Sequence, residues 1–150
     1  ELTASKDFEF NDRSLRLSGN ISSFDTEIKV FSDSGNLLKT RQLQGQPGKL
    51  INFQAAFDEY ESGREYTLVV NYTGESLHAV SANPLLGDEM RMPRTVLDVN
   101  FKQPIIMDEL DFKASIKNLL NAEVEQQQSG LMTKKYKPGV EFKMGISYQF

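Results

Sequence analysis

His78, in "ESLHAVS", is the only histidine of the 150-residue chain, and there is no cysteine. A zinc or non-haem iron centre needs three or four converging donors, so one imidazole without a thiolate excludes the usual sites of that kind from this chain alone. His78 is expected near the outer rim of a strand, solvated there or touching a ligand. Carboxylates are more numerous. Asp58–Glu59 and Asp88–Glu89 are adjacent pairs in expected turns or loops, where such pairs are solvated more often than they share a proton. Asp25, Glu27, Asp33, Asp88 and Glu89 offer loop oxygens to a calcium ion, but their spacing matches no EF-hand. No G-x-S-x-G, no P-loop and no nucleophile–base triad can be assembled. These residues name no catalytic group, no metal site and no cofactor, and the expected activity is not enzymatic.

Composition narrows the class. Apolar residues make up 39% and charged residues 25%, enough for folded structure. A net charge of −4 and a pI near 5.1 lack the basic stripe of a nucleic-acid partner. The absence of cysteine suits an oxidising envelope space without assigning one. No stretch approaches the roughly 20 apolar residues of a membrane helix. "ELTASKDFEF" has no signal-peptide pattern and no initiating Met, so it is expected to lie downstream of a processing or cleavage point.

The elements are strands. The chain closes on "VEFKMGISYQF", in which Val140, Phe142, Met144, Ile146, Tyr148 and Phe150 alternate with Glu141, Lys143, Gly145, Ser147 and Gln149. That period of two is a strand with one apolar and one polar face. It recurs in "SLRLSGNIS", "INFQAAFD", "EYTLVVNYTG", "VLDVNFK" and "LDFKASIKN". Six strands are expected, each near the 9–11 residues with which a tilted strand crosses a bilayer. The Leu119–Leu120 pair is too short a segment for a helix.

Their connections alternate in length. "DEYESGRE" and "KQPIIMDE" are tight, whereas 23–49, 82–93 and 121–138 are long, polar and Gly/Pro-bearing. The long ones are expected together at one end, with the turns near 61–64 and 104–109 at the other. Ligand or partner contacts are expected at 30–46, 84–92 and 124–136. Alternation alone leaves two readings open. A soluble sandwich buries the apolar parity, and a membrane barrel shows it to lipid. Arg16, Asp98, Lys102, Asp111, Lys113 and Lys117 all fall on the polar parity, and the apolar parities carry no charge through the strand centres. Phe57, Tyr66, Tyr72, Tyr148 and Phe150 stand where interfacial aromatic belts would be, although there is no tryptophan.

Taken in order, "LRLSGNIS", "LQGQPGKLINFQAAFDEYESG", "YTLVVNYTGESLHAVS", "MPRTVLDVNFKQPI", "LDFKASIKNLLNAEVE" and "YKPGVEFKMGISYQF" resemble the C-terminal part of the barrel of a TonB-dependent outer-membrane receptor. The resemblance covers essentially the whole chain. It implies an all-β fold: about the last six antiparallel strands of a 22-stranded barrel of the plugged transporter type. It implies "ELTASKDFEF" as the tail of the preceding strand and its turn. It implies Phe142, Met144, Ile146, Tyr148 and Phe150 as the C-terminal signal read by the barrel assembly machinery. It further implies a Gram-negative outer membrane and import of a scarce or large nutrient, such as a siderophore, haem, cobalamin or oligosaccharide. The implied partners are the remaining barrel and plug, the TonB complex engaged through that missing N-terminal part, lipid and lipopolysaccharide, and a surface lipoprotein. Plug and TonB box are absent from these residues. Two alternatives remain: a soluble β-sandwich that binds a ligand or protein through its loops, and a small outer-membrane barrel assembled from several copies.

For the barrel reading, Leu68, Val70, Val99, Phe112, Ile116, Met144 and Ile146 are expected bare of protein. Asn71, Asp98, Asn100, Lys113, Lys117 and Ser147 are expected on the opposite, inward face. Open edges are expected at Leu15–Ile21 and Val140–Phe150, and closure of Leu17 against Met144 would contradict the reading.

Overall fold

The computed structural model describes every residue except Ala82, Pro84, Met107, Asp108, Gln149 and Phe150. Its main feature is a seven-stranded antiparallel sheet in the order β1-β2-β5-β6-β9-β10-β13. The strands are β1 (Leu2–Phe10), β2 (Arg13–Ser23), β5 (Lys49–Glu59), β6 (Arg64–Thr73), β9 (Arg94–Ile106), β10 (Leu110–Lys117) and β13 (Glu141–Tyr148). Between them, β3 (Ile28–Phe31) pairs with β4 (Leu37–Arg41) as a hairpin. Strands β7 (Ser76–Ala79), β8 (Glu89–Arg91), β11 (Val124–Gln128) and β12 (Leu131–Tyr136) form a second sheet in the order β12-β11-β8-β7.

The six expected strands are present, and the sheet has a seventh. "LTASKDFEF" belongs to the preceding strand, as expected, but as a full nine-residue strand and not its tail, paired with β2 from Leu2 opposite Ile21 to Phe10 opposite Arg13. The open edge is therefore β1 rather than Leu15–Ile21, and Leu17 meets Lys6 of the same chain. Neither β1 nor β2 neighbours β13, so among the described residues the sheet does not close on itself.

An antiparallel meander sends alternate connections to opposite ends. Those from β2 to β5, from β6 to β9 and from β10 to β13 share one end, and they are the long ones. The short connections 11–12 and 60–63, and the ends of β9 and β10 at Ile106 and Leu110, lie at the other. The turn expected at 104–109 is narrower, because β9 runs on to Ile106, and Met107 and Asp108 lie outside the described residues. The long segments differ from plain loops, since six short strands pair within and between them.

Among the described residues no core covers the large sheet, and the buried hydrophobic ones are Leu77 and Val124, both in the small sheet. The chain exposes 10414 Å². A folded monomer of its 17.0 kDa exposes about 7,700 Å² by the usual size scaling. That excess suits an open sheet with exposed side chains such as Leu2, Phe142, Met144 and Ile146.

Candidate functional site

Register decides what each face carries. Opposite residues share a face, so the rows can be followed across the strands. One row runs Phe8–Leu15–Phe57–Tyr66–Phe101–Ala114–Met144, and the next runs Lys6–Leu17–Ala55–Leu68–Val99–Ile116–Phe142. Further rows hold Gly19, Phe53, Val70 and Leu97, then Ile21, Ile51 and Tyr72. Of the residues expected bare, Leu68, Met144 and Ile146 are 36%, 77% and 68% exposed. Val70, Val99, Phe112 and Ile116 are partly covered by their strand neighbours, and none of the seven is buried.

This apolar face ends at the short-turn side in a polar row. Arg13 Nη2 lies 3.1 Å from Glu59 Oε1, and Arg64 Nη1 lies 3.5 Å from Glu59 Oε2. Ser62 donates to the same carboxylate at 2.6 Å, and Arg64 Nε donates to Gln103 Oε1 at 2.5 Å. Immediately inside it runs an aromatic belt. Ring centroids are 6.1 Å apart for Phe57–Tyr66, 5.1 Å for Tyr66–Phe101 and 6.5 Å for Phe101–Phe112. Lys6 is a charge within the apolar rows that the strand pattern did not anticipate. It sits on the edge strand with its ammonium over the Phe8 ring, 5.5 Å from the centroid.

The other face is polar and cross-linked. Arg16 bonds Asp7 at 2.7 Å, and Asn52 Nδ2 donates to Asn20 Oδ1 at 2.9 Å. Lys102 and Lys113 stand directly opposite one another. Glu65 relieves the repulsion at 2.9 Å from Lys102, and Asp111 lies 3.8 Å from Lys102 and 4.0 Å from Lys113. A shallow cavity of about 630 Å³ is lined by Glu65, Asn100, Lys102, Lys113, Ser115 and Lys143. Asn71, Asp98, Asn100, Lys113, Lys117 and Ser147 all fall on this face by register. Val69 and Val96 interrupt its polarity.

The carboxylate pairs are separated by the structure. Asp58 faces Ser14 Oγ at 3.3 Å on the polar side, while Glu59 meets the arginines on the apolar side. Asp88 receives Lys39 Nζ at 2.8 Å and the Ser81 N–H at 2.9 Å, and Glu89 receives Thr133 Oγ1 at 2.6 Å. The Lys39 hydrogen bond, then the Ser81 N–H, hold the Asp88 carboxyl below its ordinary range. Among the described residues no three His, Asp or Glu gather as a metal site, so the calcium candidates do not form a cluster.

The long segments interlock above the sheet. Gln44 Nε2 donates to the His78 carbonyl at 2.8 Å, and the His78 ring meets Arg91 Nη2 at 3.1 Å. Gly87 N–H donates to Ser129 Oγ at 2.9 Å, and Gln128 Nε2 returns a bond to the Gly87 carbonyl. Sequence reasoning missed Asn118, which ends β10 at a φ of 54°. Its N–H donates to Asp98 Oδ1, its Nδ2 to the Gly139 carbonyl at 2.7 Å, and its Oδ1 accepts the Ala122 N–H at 2.9 Å. The asparagine-leucine stretch thus fixes both ends of the third long segment. Of the C-terminal signal, Phe142, Met144, Ile146 and Tyr148 share one face of β13, and Phe150 lies outside the described residues. Comparison with protein-family models, curated proteins and solved structures returns no match for this chain.

Proposed function

We propose that the seven strands are part of a transmembrane β-barrel of the Gram-negative outer membrane. In this reading the chain is the C-terminal part of a TonB-dependent receptor that imports a scarce or large nutrient. The observation that carries the proposal is an apolar face that spans the sheet uncovered and ends at a charged row beside an aromatic belt. Its height fits. From Lys49 to Glu59, β5 makes 11 residues. Ten rises give about 34 Å along the strand, or about 24–28 Å across a bilayer at the usual barrel tilt, against an apolar band of about 25 Å. A soluble sandwich would need a second sheet over Leu68, Met144 and Ile146, which stay exposed.

Transport supplies the roles of the remaining parts. The polar face lines the lumen and meets the plug, and the interlocked long segments form the outer surface that meets ligand or a surface lipoprotein. Lipid and lipopolysaccharide cover the apolar face. Strands β1 and β13 pair with barrel strands outside these residues, because an open edge in lipid leaves backbone groups unpaired at several kcal/mol each. The residues after Glu141 are the stretch that the assembly machinery reads. TonB engages through the plug-bearing part.

These 150 residues hold no cysteine, so once any cysteine elsewhere in the full-length protein is replaced a direct test is open. Single cysteines at 66 to 71 in the full-length protein are exposed to a membrane-impermeant maleimide in native membranes. Labelling at 67, 69 and 71 with protection at 66, 68 and 70, lifted by detergent, is expected. Equal labelling of both parities, or recovery of the protein from the aqueous fraction, would refute the barrel.

A further inference from the structure

Lys6 is the middle residue of β1, four residues from Leu2 and four from Phe10. By register it stands on the apolar face, opposite Leu17 and in line with Ala55 and Leu68. Among the described residues it is the one charge on that face away from the strand ends. Arg16, Lys102, Lys113 and Lys143 lie on the polar face, each within 4.0 Å of a carboxylate. Among the described residues Lys6 has no such partner. Its ammonium lies over the Phe8 ring, 5.5 Å from the centroid. Its neighbour Asp7 belongs to the other face and bonds Arg16 at 2.7 Å. On the inner side a depression of about 590 Å³ runs over Ala4 and Gly19 between Leu17 and Phe53, and none of its lining residues is acidic.

This inference rests on the barrel reading. There, four rises at barrel tilt put about 10–11 Å between Lys6 and either end of its strand. A four-carbon stem does not span that distance, so the ammonium stays in hydrocarbon. A charge at that depth is costly, and the Phe8 ring offsets only part of the cost. Ionisable groups held within a membrane pair with one another. The free edge of β1 is where a partner can stand, because directly opposite side chains of adjacent strands are about 4.5–5.5 Å apart at their β-carbons. The edges of this chain cannot supply it. Strand β13 carries Phe142, Met144, Ile146 and Tyr148 on its apolar parity, with Glu141 on the other. A second β1 brings another lysine, and its Asp7 and Glu9 fall on the polar parity. We infer that β1 selects its neighbouring strand by charge. That neighbour carries an aspartate or glutamate on its apolar parity, opposite or diagonal to Lys6, and the two form an ion pair in lipid. A strand without the carboxylate, β13 of a second copy included, leaves the ammonium unpaired and is rejected.

The test is coupling with dicyclohexylcarbodiimide, an apolar reagent that joins an amine to a carboxylate touching it. It is applied to the full-length protein in native membranes and read by peptide mass spectrometry. Lys6 should be joined to one Asp or Glu of the same chain outside residues 1–150. Lys6→Met should lower the unfolding midpoint in phospholipid vesicles, because it strands that carboxylate, and Lys6→Arg, which keeps the charge, should stay above it. Replacing the coupled carboxylate by leucine in the Lys6→Met protein should recover most of the loss. A lysine without a partner has the opposite sign, since its removal takes a charge out of lipid and raises the midpoint. The inference is overturned by absence of the link, by a link to a second copy, or by a raised or unchanged midpoint in Lys6→Met. Failure of the barrel reading is seen separately: Lys6 would then react with a membrane-impermeant succinimidyl ester without detergent. Lys6 protected until detergent is added, yet not linked, overturns the ion pair alone.

Discussion

Leu68→Arg tests the membrane face at the point where the barrel reading is most exposed to failure. Leu68 sits on a central strand between Ala55 and Val99, four residues from Arg64 in the charged row and four from Tyr72. Four rises at barrel tilt place it about 10–11 Å from that row, within a few Å of the middle of a band about 24–28 Å high. An arginine at the midplane costs about 2–4 kcal/mol, and near the interfaces about 0–1 kcal/mol. Ser23→Arg, on the same face at the far end of β2, should therefore cost about 1 kcal/mol or less. Thr67→Arg, one residue away on the polar face, should stay within about 0.5 kcal/mol of the parent. The measurement is reversible denaturant unfolding of the full-length protein from phospholipid vesicles of increasing acyl-chain length. A soluble core would also resist an arginine, so thickness is the deciding variable. The penalty at 68 should grow with chain length and the other two should not. A penalty at 68 that ignores lipid thickness, or a Thr67→Arg as costly as Leu68→Arg, would refute the reasoning.

Three further perturbations probe the supports of the site. Asn118→Ala removes the bonds to Gly139 and Ala122 and leaves a β-carbon at a φ of 54°. It should lower stability by about 2–4 kcal/mol in denaturant titration, with Asn118→Gly recovering only the backbone share. Gly63→Ala should destabilise the short turn as well, since its Cβ would meet Pro104 Cγ at 2.8 Å at a φ of +65°; a fall of about 1–2 kcal/mol is expected from the same titration. The Lys39–Asp88 contact has a defined pH window. Because Lys39 lowers the Asp88 carboxyl, the contact stabilises the native arrangement above the ordinary carboxylate range, and that contribution is lost as pH falls through the lowered value. A spin-label pair spanning the β3–β4 hairpin and β8 should therefore keep its distance from neutral pH down to about 4 and spread only below it. Asp88→Asn should show the spread at neutral pH, and a pair that moves between pH 5 and 7 would contradict the assignment.

The strands that could be read from sequence are those with one wet and one apolar face along most of their length. In β6, Tyr66, Leu68, Val70 and Tyr72 announce a period of two because Thr67 and Asn71 answer them, and register then carries the pattern across neighbours. Strand β1 escaped that test because Lys6 breaks its apolar parity; its place is set by nine pairs with β2. The small sheet was illegible for a different reason. "VEQQQ" and "EMR" are too short and too polar to carry a period, and only pairing between segments some 35 residues apart makes them strands. Side-chain partnerships are remoter still. Nothing near Lys39 in sequence reveals that its ammonium meets Asp88, 49 residues further on. The two readings that alternation left open differ only in what touches the apolar parity, which is a property of surface and not of pattern. Met144 and Phe142, on that parity, are 77% and 66% exposed. Burial of such side chains is worth about 1.5–3 kcal/mol each, and in the barrel reading a medium outside the chain supplies that contribution. In the barrel reading that medium is lipid, and the charged row of Arg13, Glu59 and Arg64 marks where it ends.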